Sequence, residues 1–586
     1  MTQTSESRKS RVGSIVAVFS TALVLVAIAF ASHGSRTTAS AEPATTILVN
    51  GRIYTSNPTQ PWAEAIAIRG NRIAAVGASK DVLALRRGPQ TKVIDLGGRM
   101  AMPGIIDTHT HFVEGSEILA GVSVAGAESI DAVKARLAEF AKTHPGDGWI
   151  FGGGWDYGSF WPGGLPTKEI LDGIFPNRPV VLVSSDGHSV WANSAALGRA
   201  KITRSTPNPD TPELRGIIIH DAKTGEPTGV LEEGAQYLVN AALDDQTVLQ
   251  DLRDGTAAAN RQGITGVINA TGDSHEFGLY EALHDRGELT VRMTTSMSNG
   301  VGSKHTVSDA EVADLEKLRA QYAGDWVRFG AVKFFADGVV ETHTAAMLAP
   351  YANAVTPGEK GTMLYTPDEL KRDYQTLDKH GFQVMTHAVG DGAVREVLDA
   401  YEAVAKEDGP RDRRWRIEHM EVVAAPDRPR LAQLHVLAAF QPWCCASLEE
   451  PWGAGVGTVR MADGIPWHDV VAAGATLIMG SDWPVEPINP FVIMQTGVTR
   501  QTADGQPAGG FYPKQSLTLD EMLPGYTRNA AYAEFMGDRL GQLKPGYFAD
   551  VIVLSQDLYK IPANTIGKTE VLLTIVDGKI VNRKGI

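Results

Sequence analysis

The chain has 586 residues, which is too long for one ordinary hydrophobic core and predicts two or more domains. Hydrophobic residues make up 43% of it and charged residues 21%, as in soluble globular proteins. Its formal net charge of −14 argues against a nucleic-acid-binding protein and against a polybasic protein of membrane surfaces.

Residues 1–41 are predicted to form a secretory signal peptide. A basic segment around Lys9 precedes an apolar stretch over residues 15–31, and the small residues ending at Ala41 form a cleavage site. An uncleaved N-terminal membrane anchor is the alternative, because the apolar stretch is near the lower length limit of a membrane span. We therefore expect a secreted or periplasmic protein, with membrane contact only if the leader stays attached.

Two strand-rich segments flank the middle of the chain. Near the start, "ATTILVNGRIYTSN" and "AEAIAIRGNRIAAVG" contain Asn-Gly and Gly-Asn turns between apolar runs. Near the end, "GYFADVIVLS" and "EVLLTIVDGKIVN" have the same character. We predict that residues 42–103 and 535–586 together build one small β-sandwich domain.

Eight short apolar runs between these flanks predict an α/β fold. Most of them are separated by amphipathic helical segments such as "TPDELKRDYQTLDKHG" and "DGAVREVLDAYEAVAKE". Strands that alternate with helices indicate a parallel sheet, and eight such units indicate a (β/α)₈ TIM-like barrel over residues 104–534. The predicted strands are 104–107, 264–270, 290–296, 327–335, 382–387, 415–419, 436–441 and 475–481.

The connection between the first and second predicted strands is far longer than a normal barrel loop. It contains apolar, strand-like segments such as "PVVLVSSDGHSVWANSAAL". We therefore predict an insertion with structure of its own over about residues 115–245.

Potential metal ligands stand where five of the predicted strands end, which is the rim where such barrels carry their chemistry. Each alone is compatible with a structural role, but together they predict a metal site. The residues are His109 and His111 after strand one, Lys333 in strand four, His387 in strand five, His419 in strand six and Asp482 after strand eight.

Several sequence motifs of the chain resemble those of a known superfamily. The segments "PGIIDTHTHF", "DGHSVWANSAAL", "VKFFADGVVETHTAAML", "HAVGDGA", "RIEHME" and "GSDWPV" resemble the amidohydrolase superfamily. The closest pattern is that of amidohydrolase family 3, with its YtcJ-like and N-substituted formamide deformylase-like proteins. The resemblance covers nearly the whole mature chain.

The resemblance implies a binuclear metal site. His109, His111 and Asp482 would bind one divalent ion, and His387 and His419 would bind a second. Lys333, carbamylated by carbon dioxide, would bridge the two ions. Imidazole and carboxylate ligands suit Zn²⁺, so two zinc ions are expected. An unmodified Lys333 beside a single metal is the alternative.

The implied activity is that of a metal-dependent amidohydrolase acting on carbon–nitrogen bonds other than peptide bonds. The expected substrate is an N-acyl or N-formyl amine, attacked by metal-bound hydroxide that forms near neutral pH. Asp482 would be the catalytic residue that takes the proton from the water and passes it to the leaving amine.

Three residues of "SDGHSVWANS" match a family motif and are expected to contact the substrate: Asp186, His188 and Trp191. For His188 a structural role in its loop is an equal alternative. For Trp191 plain packing is the alternative, as for most large aromatic residues.

Other functions stay open. An ester or lactone hydrolase would use the same chemistry. A deaminase of the superfamily is disfavoured, because Gly390 stands three residues after His387, where many deaminases have a glutamate. A non-catalytic secreted binding protein is the alternative from another class. The expected partner is a small-molecule substrate and not a nucleic acid, and a homo-oligomer is left open.

Overall fold

Eight parallel strands form the centre of the computed structural model, which describes residues 43–85, 89–127, 129–160, 165–185, 187–209, 216–240, 245–299, 306–442 and 451–586. Strands that follow each other along the chain are neighbours in this sheet. The strands are Ile105–Thr110, Ile264–Gly272, Arg292–Ser298, Val327–Phe335, Val384–Ala388, Arg416–His419, Leu437–Phe440 and Thr476–Met479.

The sheet curves until its two edges meet next to the predicted metal ligands. The backbone N–H of Asp482 donates to the His109 carbonyl at 2.7 Å, and the N–H of His111 donates to the Trp483 carbonyl at 2.7 Å. Thr110 and Trp483 form a parallel bridge at this seam. The predicted TIM-like barrel is confirmed, with strand ends that differ by a few residues from the predicted ones.

Helices cover the outside of the barrel, and capping residues set several of their starts. Ser308 and Thr366 each form a capping box with a glutamate three residues later. Among the helices of the described residues, none combines the length and the apolar composition that a membrane span requires. The helices associated with the barrel are Phe112–Ala120, Asp245–Arg261, Ser274–Asp285, Asp309–Gln321, Pro367–Lys379, Asp391–Asp408, Arg428–Gln433, Pro451–Arg460, Trp467–Ala472, Pro490–Thr499, Leu519–Gly525 and Arg528–Ala533.

The segment of chain between the first and second barrel strands forms a separate six-stranded sheet with its own apolar core, in agreement with the predicted insertion. In spatial order its strands are Gly216–His220, Pro227–Glu233, Ser189–Ala192, Val180–Ser184, Ile150–Trp155 and Val122–Ser123. Its helices are Ile130–Thr143, Lys168–Asp172, Ser194–Arg199 and Tyr237–Asn240.

Two further sheets share one apolar core that joins both ends of the described chain, so the small β domain is confirmed. Its short helix is Ser79–Leu83. The four-stranded sheet contains Arg72–Gly77, Ala65–Arg69, Thr46–Val49 and Lys92–Asp95. The six-stranded sheet contains Lys579–Arg583, Val571–Val576, Val551–Leu554, Met100–Pro103, Arg52–Tyr54 and Trp62–Ala63. The limits 42–103, 104–534 and 535–586 stay predictions, and the predicted leader lies outside the described residues.

A buried ion pair connects this domain to the barrel at the start of the third barrel strand. The Arg292 guanidinium donates to both carboxylate oxygens of Asp550, at 2.8 and 3.2 Å, and to Asp577 at 3.0 Å. Because Arg292 begins its strand, the pair lies at the end of the barrel away from the predicted metal ligands.

Candidate metal centre

The ends of the first and eighth strands bring two histidines and an aspartate together. The Asp482 Oδ1 atom lies 3.0 Å from His111 Nε2 and 3.3 Å from His109 Nε2. The three ligand atoms all lie within 4.8 Å of one another. Asp482 has a left-handed backbone conformation, with φ of 58°, which is uncommon outside glycine.

The surroundings of Asp482 Oδ1 show whether a metal ion would fit between Asp482, His109 and His111. This atom is buried and has no hydrogen-bond partner of good geometry among the described residues, although two imidazole nitrogens approach it. An unpaired buried carboxylate oxygen is costly unless a cation or a donor compensates it. The oxygen and the two nitrogens are the donor types that a divalent ion such as Zn²⁺ prefers, so the residues fit a metal.

The remaining predicted ligands lie beside this trio. Lys333 Nζ is 3.5 Å from His109 Nε2 and 4.8 Å from the centre of the Phe335 ring. The His387 and His419 rings are 4.5 Å apart, and the His419 ring is 5.0 Å from that of His109. The structure thus brings all six residues into one cluster, and their roles as ligands stay predictions.

Burial keeps the imidazoles of His109, His387 and His419 neutral. Burial, followed by the charge of Lys333, lowers the pKa of His109 to about 4. Burial lowers the pKa of His419 to about 3 and holds that of His387 well below its ordinary value. Neutral imidazole is the form that binds a metal. Burial also lowers the pKa of Lys333 to about 8, so more of its amine is neutral at physiological pH.

Glu418, which the sequence reasoning missed, orients His109. His109 Nδ1 donates to Glu418 Oε2 at 2.6 Å, which leaves the Nε2 lone pair directed at Asp482. The Arg416 guanidinium donates to both oxygens of Glu418, at 2.5 and 2.7 Å. Burial raises the pKa of Glu418, but Arg416 and His109 together hold it well below its ordinary value, so the group is a carboxylate.

Three further residues that were not predicted hold the cluster in place. Thr271 Oγ1 lies 2.5 Å from His111 Nδ1. Asp107 accepts the backbone N–H groups of His109 and of Ser481, at 3.2 and 2.9 Å. Asp337 accepts three backbone N–H groups from the loops around His387. For Asp107 and Glu418 a signal was available, because each stands two residues from another polar residue of its strand and so shares its face.

The three predicted substrate-binding residues, His188, Trp191 and Asp186, differ in where the structure places them. The His188 Nδ1 atom lies 3.2 Å from both carboxylate oxygens of Glu233, and His188 is close enough to His387 to influence the pKa of that residue. Trp191 is fully buried in the insertion, where its indole donates to the Thr167 carbonyl at 3.0 Å. It presents no surface to a substrate, and packing is the reading that the structure favours. Asp186 lies outside the described residues.

Comparison with known proteins shows which family the chain belongs to. The model of the amidohydrolase family matches residues 92–582. The YtcJ protein of Bacillus subtilis (strain 168) is 29% identical over 547 residues, which cover 91% of this chain and 98% of that protein. The N-substituted formamide deformylase of Arthrobacter pascens is 27% identical over 551 residues, which cover 91% of this chain and 97% of that protein.

A solved structure has the same fold. An uncharacterized metal-dependent hydrolase from Pyrococcus horikoshii OT3 superimposes with a TM-score of 0.71 at 24% identity, covering 88% of this chain and 99% of that one. The resemblance that the motifs indicated is confirmed by the family match over most of the chain. With the His109, His111 and Asp482 cluster at the barrel rim, the chain belongs to the amidohydrolase family and is a metal-dependent hydrolase.

Proposed function

We propose that the protein hydrolyses the carbon–nitrogen bond of a non-peptide amide, an N-acyl or N-formyl amine. The observation that carries this proposal is the Asp482 carboxylate, with one unpaired buried oxygen at the meeting point of His109 and His111. Similarity to a protein named N-substituted formamide deformylase supports the substrate class. Enzymes of the family act on small molecules, which agrees with this assignment.

For the metal, we propose two zinc ions. His109, His111 and Asp482 would hold one, His387 and His419 the other, and a carbamate on Lys333 would join them. When bound, such ions lower the pKa of a water molecule and polarise a carbonyl oxygen. Neutral imidazoles and a partly neutral Lys333 support this set, because binding and carbamylation both need uncharged nitrogen.

Asp482 then carries the proton that the reaction must move. It accepts a proton from the attacking water and donates it to the leaving nitrogen, so that the C–N bond breaks as a C–O bond forms. The products are a carboxylic acid and an amine. His188, held by Glu233 on the insertion, is proposed to bind the substrate beside the cluster.

Among the alternatives, deamination is further disfavoured by the packing of Gly390. A Cβ atom on this residue would lie 2.2 Å from the Ala346 carbonyl oxygen, so a glutamate cannot occupy the position without a backbone shift. Ester and lactone hydrolysis would use the same groups as amide hydrolysis. Matched ester and amide substrates separate the two by their relative kcat/KM.

Metal content tests the proposed centre. We expect about two metal ions per wild-type chain, and about one in Lys333→Ala, because the bridging ligand is lost. The mass of the peptide that contains Lys333, measured under conditions that preserve a carbamate, should show the added carbon dioxide. Chelation should abolish hydrolysis of N-formyl amines, and added zinc should restore it.

Lys317→Ala is the matched control, because the Lys317 side chain is 77% exposed and pairs with Asp314 on a helix surface. It should keep the wild-type metal content. One metal per wild-type chain together with an unmodified Lys333 would contradict the binuclear proposal and leave a mononuclear hydrolase.

We further propose that the protein acts outside the cytoplasm, on the basis of the signal-like residues 1–41. The N-terminal sequence of the protein purified from the extracytoplasmic fraction should begin at residue 42. A protein that starts before Lys9 and sediments with membranes would instead support the uncleaved anchor.

A further inference from the structure

Glu486 is a buried carboxyl group near the metal cluster for which the reaction described above has no role. It lies in the loop after the eighth barrel strand, and only 6% of its surface is exposed. Its Oε2 atom is buried and has no hydrogen-bond partner among the described residues. Such an atom costs free energy until a donor reaches it, so a ligand that brings a donor gains binding energy here.

The loop geometry keeps Glu486 close to Asp482. The backbone N–H of Val485 donates to the Asp482 carbonyl at 2.9 Å, so the chain turns back directly after the proposed catalytic residue. Glu486 is the next residue after this turn. On the other side, a Cβ atom built on Gly187 would lie 3.9 Å from Val485 Cγ2, which places the loop beside the residue that precedes His188. Glu486 therefore lies where the insertion meets the barrel rim.

The surroundings of Glu486 are acidic. Burial, and then the negative charges of Asp482 and Glu421, raise the pKa of Glu486 well above its ordinary value. Glu421 follows the sixth strand, and its Oε2 accepts the indole N–H of Trp452 at 2.6 Å, which fixes this second carboxyl group. Within the described part of the chain, no lysine or arginine forms an ion pair with Glu486.

We propose that Glu486 determines specificity by binding a positively charged nitrogen of the substrate, an ammonium or guanidinium group remote from the scissile bond. The proposal rests on the proposed amide hydrolysis and names its substrate class as cationic N-acyl amines. An N–H of the cation would donate to Oε2, which has no hydrogen-bond partner among the described residues. Its positive charge would offset the negative charges of Asp482 and Glu421 and favour the carboxylate form of Glu486. Charge-assisted hydrogen bonds of this kind are stronger than neutral ones.

The test uses ligands that cannot be hydrolysed, so that it does not depend on turnover. N-[4-(aminomethyl)benzyl]methanesulfonamide carries an ammonium group, and N-(4-ethylbenzyl)methanesulfonamide is its neutral analogue of nearly the same shape. We expect the zinc-loaded wild-type protein to bind the cationic ligand about tenfold more tightly in calorimetry. The 4-carboxybenzyl analogue should bind more weakly than either. This comparison of ligands needs no variant.

Glu486→Gln should bring the affinities of the cationic and neutral ligands to within about twofold of each other. Glu534→Gln is the matched control, since Glu534 is also a buried glutamate with one unpaired oxygen, but it bonds Thr294 early in the third strand. It should keep the wild-type preference. Thermal unfolding shows whether both variants are folded.

The outcomes separate this inference from the proposed function. The proposed cation site is overturned if the wild type binds the cationic and neutral ligands with equal affinity, or if it binds neither of them. Loss of zinc from Glu486→Gln also overturns it, because Glu486 would then be a metal ligand. If the preference holds while the matching N-formyl amines are not hydrolysed, the proposed reaction fails and the cation site stands.

Discussion

Asp482→Asn is expected to lower kcat/KM for the best N-acyl amine by roughly 10³-fold or more and to leave the protein folded. Asparagine has nearly the shape of aspartate, but it cannot take a proton and is a poorer metal ligand. Because Asp482 Oδ1 has no hydrogen-bond partner of good geometry among the described residues, replacing the carboxylate by an amide breaks no hydrogen bond at this atom. The midpoint of thermal unfolding of the metal-free variant should therefore equal or exceed that of the metal-free wild type.

Asp391→Asn is the control for this change. Asp391 is also a buried aspartate, at the start of the helix after the fifth strand, where it accepts the backbone N–H of Leu348 at 2.8 Å. It does not belong to the ligand cluster, so its replacement should keep most of the activity. Turnover of Asp482→Asn, or of His109→Ala, at the wild-type rate would contradict the proposed site.

The fold and the ligand cluster were predictable because their signals are local. Each barrel strand is a short apolar run, and the ligands stand at its end, as His387 and Asp482 do. In a parallel barrel all such ends meet at one rim, so sequence position alone places His109 beside Asp482.

The contacts that hold the ligands were not predictable in this way. Glu418 is next to His419 in sequence, yet its partner is His109, 309 residues away. Thr271 likewise meets His111 across 160 residues. Strand alternation places Glu418 on the same face as Arg416, but it does not identify His109 as the partner of Glu418 or His111 as the partner of Thr271. Only the sheet register decides which side chains face each other.

Trp191 illustrates the limit of a motif match. The motif gave the residue type but not the direction of the side chain. All four residues of the strand Ser189–Ala192 are buried, so alternation along the strand does not show which face is turned to the substrate. Glu486 is the opposite case, because it lies in no recognised motif. Only its buried oxygen, which has no hydrogen-bond partner among the described residues, indicates a functional role.

Glu418→Gln is expected to have two large effects. One is on metal affinity, through the orientation of His109, and the other is on the stability of the barrel. Metal affinity should fall roughly 10- to 100-fold, because glutamine holds the His109 ring less firmly and makes its Nε2 less basic. The free energy of unfolding of the metal-free protein should fall by roughly 3–5 kcal/mol, because the buried Arg416 loses its countercharge. Competition with a zinc chelator measures the first effect, and urea unfolding measures the second.

Asp550→Asn distinguishes the two causes, since it removes a carboxylate from the buried Arg292 at the other end of the barrel. It should lower stability, by less than Glu418→Gln because Asp577 still contacts Arg292, and should leave metal affinity unchanged. The double variant Arg416→Gln/Glu418→Gln should recover part of the stability, since no buried charge is left unpaired, but not the metal affinity. If Glu418→Gln is destabilised yet binds zinc as the wild type does, Glu418 serves only Arg416, and the rest of the barrel suffices to orient His109.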